Sequence, residues 1–243
     1  MVREYRVPAS LNMLGTFSRN DFVKAFKEEH PDHSDEAAVY SLRKLQSDKK
    51  IRRIGWNQYT ASGEKRIYHH NYSEISEEVA ELIQKEYVDP VFQIFELTQL
   101  NDFVNHQIAH NTVFVYVENE LIDFVFDTLK RSYPGKVMLK PSVKEYYRYL
   151  VDDEIVVGRL PSESPKSQDT PWHSRLEKIL VDVAVDKLLS SVVLSGEYKN
   201  IFNESFEQYY IDFAAMVRYA KRKGAERKFE TFLETHGLQK AGA

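Results

Sequence analysis

The chain has 243 residues, 42% hydrophobic and 29% charged, which suits a globular protein of one large or two small domains. It has no cysteine, so disulfides, zinc–thiolate centres, iron–sulfur clusters and cysteine nucleophiles are excluded. The net charge of -4 is unevenly spread: residues 1–72 carry a net +4, residues 73–128 a net -11 and residues 129–243 a net +3.

A mean hydropathy of -0.50 and the absence of a long apolar run argue against a membrane-spanning helix and a membrane partner. Met1–Pro8 lacks the apolar core of a secretory signal, so a cytoplasmic location is expected.

Taken in chain order, residues 1–72 predict three short helices and a hairpin. The first helix is expected near Ala9–Leu14. The second opens on Ser18 with Asp21 three residues on, a capping box, and fails at His30-Pro31 because the residue before proline avoids the α region. Ser34 caps a third, whose Ala38, Leu42 and Leu45 share one face. The alternation of Lys50–Tyr59 predicts a strand, a turn and a return strand, continued by Gly63 and Lys65–Tyr68.

Ser73–Tyr87 is an acidic amphipathic helix, expected to connect two modules within residues 73–88. Beyond it, strands at Val91–Leu97, Thr112–Glu118, Lys136–Lys140 and Glu154–Leu160 alternate with helices at Glu120–Ser132 and Ser142–Leu150. That order argues for a mostly parallel sheet in an α/β domain over residues 89–243. Pro161–Pro171 is expected as a loop. Helices are expected at Ser174–Ser190, opened by a Ser174/Glu177 capping box, at Ser205–Lys223, ending on Gly224, and at Ala225–Thr235. The fold class expected is α+β: an N-terminal winged helix-turn-helix over 1–72, then an α/β domain with C-terminal helices.

Two helices and a cationic hairpin suit a recognition helix in the major groove of double-stranded DNA, with the wing on phosphates. Arg43–Arg66 holds 8 Lys and Arg against 2 acids. With Ala38, Leu42 and Leu45 inward, Tyr40, Ser41, Arg43, Lys44 and Ser47 are expected to face out, and Arg52, Arg53, Asn57, Lys65 and Arg66 to lie on the wing.

Chemistry-bearing patterns elsewhere are weaker. His106-x-x-x-His110 has Gln107 where a zinc peptidase carries glutamate, so packed or surface histidines are the expectation, as for His69-His70. A metal-dependent nuclease core wants an acid two residues before Lys140, and Met138 stands there. Asp182, between Val181 and Val183, needs a partner if buried. The cations Arg218, Lys221, Arg222, Lys223, Arg227 and Lys228 suit helix C-termini. No P-loop, dinucleotide fingerprint or nucleophile elbow occurs, and neither a metal nor a cofactor is expected.

The phrases I-R-R-I-G-W-N-Q-Y at Ile51–Tyr59, R-L-E-K-I-L-V-D-V at Arg175–Val183 and Y-I-D-F-A-A-M-V-R-Y-A-K-R-K-G at Tyr210–Gly224 resemble the AbiEi-type antitoxins. Trp56 and Asn57 stand where that family's wing usually carries Arg-Gly. The resemblance implies a non-enzymatic transcriptional regulator of a bacterial phage-defence operon, bound to its operator, and allows a homo-oligomer on the DNA. It also implies a cognate AbiEii-like nucleotidyltransferase toxin as partner. The competing expectations are a Mg-dependent nuclease with a winged-helix targeting head and a non-catalytic protein-interaction module.

Overall fold

A computed structural model of the chain describes residues 6–12, 16–48, 50–55, 57–61, 67–167 and 170–238. Two compact units emerge. The first lies within Met1–Ile67 and also takes in Glu207–Ala214; the second comprises Tyr68–Phe206 and Ala215–Leu238. Among the described residues, no helix is long and apolar enough to cross a membrane.

In the first unit, α1 (Ala9–Asn12), β1 (Phe17–Ser18), α2 (Arg19–Glu29), α3 (Asp35–Ser47), β2 (Ile51–Gly55) and β3 (Gln58–Ala61) follow in order. Ser18 caps α2 by the reciprocal bonds that its spacing to Asp21 predicts, and Ser34 accepts from Ala37 N at the start of α3. The three strands pair antiparallel in the order β1-β3-β2, with a bulge between Arg53 and Gly55. Strand β1 went unpredicted because two residues carry no periodicity. Phe22, Phe26, Ala38, Leu42, Leu45 and Ile51 form the core, with the ring of Phe17 stacked on those of Phe22 and Tyr59.

The second unit is built on a four-stranded mixed sheet, β4 (Phe92–Glu96), β5 (Thr112–Val117), β6 (Val137–Leu139) and β7 (Glu154–Arg159), in the order β4-β5-β7-β6. Strand β5 runs parallel to β7 and β7 to β6, while β4 is an antiparallel edge. All of β4 and β5 is buried, as strands covered on both faces must be. On one face Val113, Val115 and Val117 meet Val79 and Ile83 of α4 (Glu74–Glu86) and Val125 and Leu129 of α5 (Ile122–Ser132). The 73–88 helix expected as a connector thus packs in the second unit's core. Helix α6 (Val143–Tyr149) begins at the predicted Ser142/Glu145 capping box.

Three expectations for the C-terminal helices fail. The single helix predicted over Ser174–Ser190 is two, α7 (Leu176–Val185) and α8 (Lys187–Val192), because the Asp186 carboxylate accepts from Leu188 N and Leu189 N and caps α8. The Ser174/Glu177 capping box does not form: Arg175 is the cap, and Glu177 takes the Arg175 guanidinium at 2.5 Å. The long helix predicted over Ser205–Lys223 is also split, into α9 (Tyr198–Gln208) and α10 (Phe213–Arg222). Ile211 and Asp212, in the break, are buried within the first unit, so tertiary packing overrides the helical spacing of Phe206, Tyr209, Tyr210 and Phe213. Gly224, at φ +69°, ends α10 as predicted, and α11 (Glu226–Thr235) follows.

Ile83→Ala should cost about 2–5 kcal/mol in chemical denaturation, the range for a buried aliphatic truncation. A change near zero would mean that α4 is an unpacked linker.

Candidate functional site

The residues predicted to contact DNA fall in the first unit. On α3, Tyr40, Arg43, Lys44 and Ser47 are exposed, while Ala38, Leu42 and Leu45 turn inward. Ser41 departs from expectation: it is fully buried, one residue from Leu42 on the inward side, and its hydroxyl has no hydrogen-bond partner among the described residues. Lys44 pairs with Asp48 at 3.1 Å, one turn on, both side chains being substantially exposed. Such a pair contributes only about 0.3–0.5 kcal/mol and yields readily to a phosphate.

Lys50 N donates to the Leu45 carbonyl, so the hairpin leaves directly from the end of α3. Arg52 and Arg53 on β2 are exposed. The Arg52 guanidinium lies 5.0 Å from the centroid of the Tyr210 ring, a cation–π contact within the same unit that sequence spacing could not reveal. Asn57 occupies the hairpin turn at φ +53°, where asparagine is among the few tolerated side chains, and its Oδ1 accepts from Arg19 N at 3.2 Å. It therefore ties the turn to the start of α2. Lys65 and Arg66 lie outside the described residues, as do Trp56 and Gly63.

The second unit holds a buried ion network. Asp182, which the sequence left without a partner, accepts from Lys178 Nζ at 2.7 Å, from Lys223 Nζ at 2.6 Å and from Tyr219 OH at 3.0 Å. Lys178 is fully buried, and its ammonium sits 3.5 Å from the centroid of Tyr116 on β5. Burial pushes the Asp182 carboxyl up, but the two ammonium groups outweigh it and hold it below its usual value. Burial also pulls Lys178 below the usual lysine range, while on Lys223 the nearby Asp182 and Asp186 charges win and raise it. Lys223, read from sequence as a helix-end cation, is thus committed to this network, and Arg222 pairs with Glu163. The sequence signal was available: Lys178 and Asp182 are four apart on a helix whose other residues, Glu177 excepted, are apolar.

A third cluster gathers histidines. His70 Nε2 lies 2.8 Å from a Glu96 oxygen, and Ser76 and the Ser73 backbone donate to the other at 2.5 and 2.9 Å. Burial raises the Glu96 carboxyl, and these bonds more than reverse it. His173 packs against Tyr72 and Trp172, with His69 nearby. Its burial, and then the neighbouring His69 and His70, push its imidazole down to about 4. His106 and His110 share no helix. They lie in an irregular segment, His106 2.7 Å from Glu197 and His110 3.8 Å from Asp152. Among the described residues, no three histidine or carboxylate side chains converge as a metal site would require. Met138 stays half-buried on β6 and Lys140 follows it at φ +43°.

The molecule is thus an α+β protein with a mixed sheet and C-terminal helices. It belongs to a family of unknown function (DUF6577), which matches residues 37–239. No curated protein matches it. Among solved structures, the RV2827C protein from Mycobacterium tuberculosis is similar at 9% identity over 95% of this chain and 83% of that one, with a TM-score of 0.25.

Asp182→Ala should lower stability by about 3–5 kcal/mol in denaturant, because it strands two cations. Adding Lys178→Met should recover part of that loss; strict additivity in the double variant would show that the two groups are not coupled. His173 stays neutral in the folded chain where the unfolded chain, at a value near 6.5, would protonate. The stability of the neutral ring is therefore complete above that value and falls as pH drops toward about 4. The thermal midpoint should decline over this window, and His173→Gln should flatten the part of the decline nearest pH 6.5, well above the 4.5 at which the Glu96 carboxyl of the unfolded chain is half-protonated.

Proposed function

We propose that this protein is a DNA-binding transcriptional regulator of the antitoxin type, with a winged helix-turn-helix in its first unit. The observation that carries the reading is the exposed face of α3, with Tyr40, Arg43, Lys44 and Ser47, continuous in chain with a hairpin bearing exposed Arg52 and Arg53. The order helix, strand, helix, helix, strand, strand in that unit is the one a winged helix requires. In this reading α3 enters the major groove and the hairpin follows the phosphates. Ser41 is withdrawn from the contact set by its burial. Asn57 serves the turn, and Arg52 is steadied by Tyr210.

One such unit offers few phosphate contacts, so two copies on an operator repeat are proposed. The second unit would engage the cognate nucleotidyltransferase toxin or its regulation, in the cytoplasm, without catalysis of its own. Its helix α4 presents Glu74, Glu77, Glu78 and Glu81 to solvent, a face that repels DNA and suits a protein partner. The nuclease alternative has less support, since Met138 supplies no ligand at the position where a metal-binding acid is needed.

A mobility-shift titration on the DNA upstream of the protein's own gene, across a salt series, tests the reading. Specific, salt-steep retardation is expected. Arg52→Ala with Arg53→Ala should flatten the dependence of log K on log salt by up to about two units, one per lost phosphate contact. No retardation at low salt would overturn the DNA role, and an unchanged slope would remove the hairpin from it.

A further inference from the structure

The second unit contains a crevice of about 730 Å³, within the range of small-molecule sites, that none of the readings above uses. It opens where the sheet topology demands a gap. Val117 and Arg159 are register partners at the carboxyl ends of parallel β5 and β7. The chain leaving β5 enters α5 and returns on β6, beyond β7. The chain leaving β7 crosses the other way, and His173 bridges Ile94 on the β4 edge. The two exits diverge, and the crevice lies between them, at the position where open α/β sheets bind ligands.

Its lining carries both signs of charge and one indole. Arg159 and Lys166 are exposed on the loop side, and among the described residues neither side chain has a hydrogen bond or ion pair. Trp172 is half-buried, backed by edge contacts to Tyr72 and His173, and forms a fixed aromatic wall. Asp89, Glu118, Glu120 and Glu163 line the crevice as well, the last paired with Arg222. A bare polyanion is repelled by the four acids, and a simple cation leaves the two basic groups unused. The lining suits a ligand that combines an anionic group, a planar aromatic part and several hydroxyl donors. We propose that this crevice binds a mononucleotide. Its phosphate lies on Arg159 and Lys166, its base lies against Trp172, and its ribose hydroxyls donate to lining carboxylates. The assignment does not depend on the DNA-binding reading, since every group it uses lies in the second unit.

The test uses the full chain with Trp56→Phe, which leaves Trp172 as the sole indole. AMP, GMP, adenosine and inorganic phosphate are titrated while its emission is followed. A saturable change is expected with AMP or GMP, with adenosine and phosphate binding more weakly. Arg159→Ala with Lys166→Ala should weaken nucleotide binding at least about tenfold, the loss of one charge-assisted contact or more, at an unchanged thermal midpoint. Calorimetry on Trp172→Leu should show a parallel loss. No saturable change with AMP or GMP up to about 5 mM overturns the proposal. So does phosphate binding as tightly as the nucleotide, or a double variant that binds like the parent.

Discussion

Asp182 is a carboxylate placed where no water reaches it, and the second unit is arranged around that fact. Its two oxygens take bonds from Lys178 on its own helix, and from Tyr219 and Lys223 at the end of α10. Lys178 in turn lies over Tyr116, so the same carboxylate links the central strand β5 to two helices. Removing any one group leaves the others charged or polar in a dry interior, and that cost far exceeds the gain from any single bond. The network therefore fixes how the helices lie on the sheet more tightly than apolar contact alone. Apolar side chains tolerate sliding; a buried ion set has one satisfying geometry.

The two units divide the charge of the chain. The first exposes Arg43, Lys44, Arg52 and Arg53, while α4 of the second exposes a row of glutamates. The acidic helix is not a solvated spacer. Its Val79, Ala80 and Ile83 are wholly buried against the sheet, so its anionic face is held rigidly. The exposed charge of α3 and the hairpin in the first unit is mainly positive, and that of this face of the second is negative. The electrostatics separate two roles before any specific partner is considered.

Much of the fold was legible in the sequence because local chemistry and tertiary demand agreed. Ser18 with Asp21, Ser142 with Glu145, and Gly224 mark helix ends by bonds that involve only near neighbours. The strands of the second unit announced themselves as apolar runs, and the expected mostly parallel sheet proved mixed, because β4 joins as an antiparallel edge. What failed was non-local. Nothing between Ser205 and Lys223 breaks a helix by itself, yet Tyr209–Asp212 leaves helical geometry to pack elsewhere. At the residues expected from sequence to contact DNA, a helical wheel placed Tyr40, Arg43, Lys44 and Ser47 outside, but misjudged Ser41, which sits at the margin of the inward face. The Arg52–Tyr210 contact joins residues 158 positions apart, a separation that no spacing rule spans.

The excursion of Glu207–Ala214 makes the first unit discontinuous in sequence. A fragment that stops at Tyr72 contains the helices and the hairpin but not Tyr210, Ile211 or Asp212, which complete that unit. The first unit is therefore finished only after nearly the whole chain has been synthesised. Nor can it be exchanged as a single cassette. A gene fusion that replaced only the first 72 codons would set a new head against a return segment shaped for the old one, so any exchange of heads must carry two separated stretches of coding sequence together.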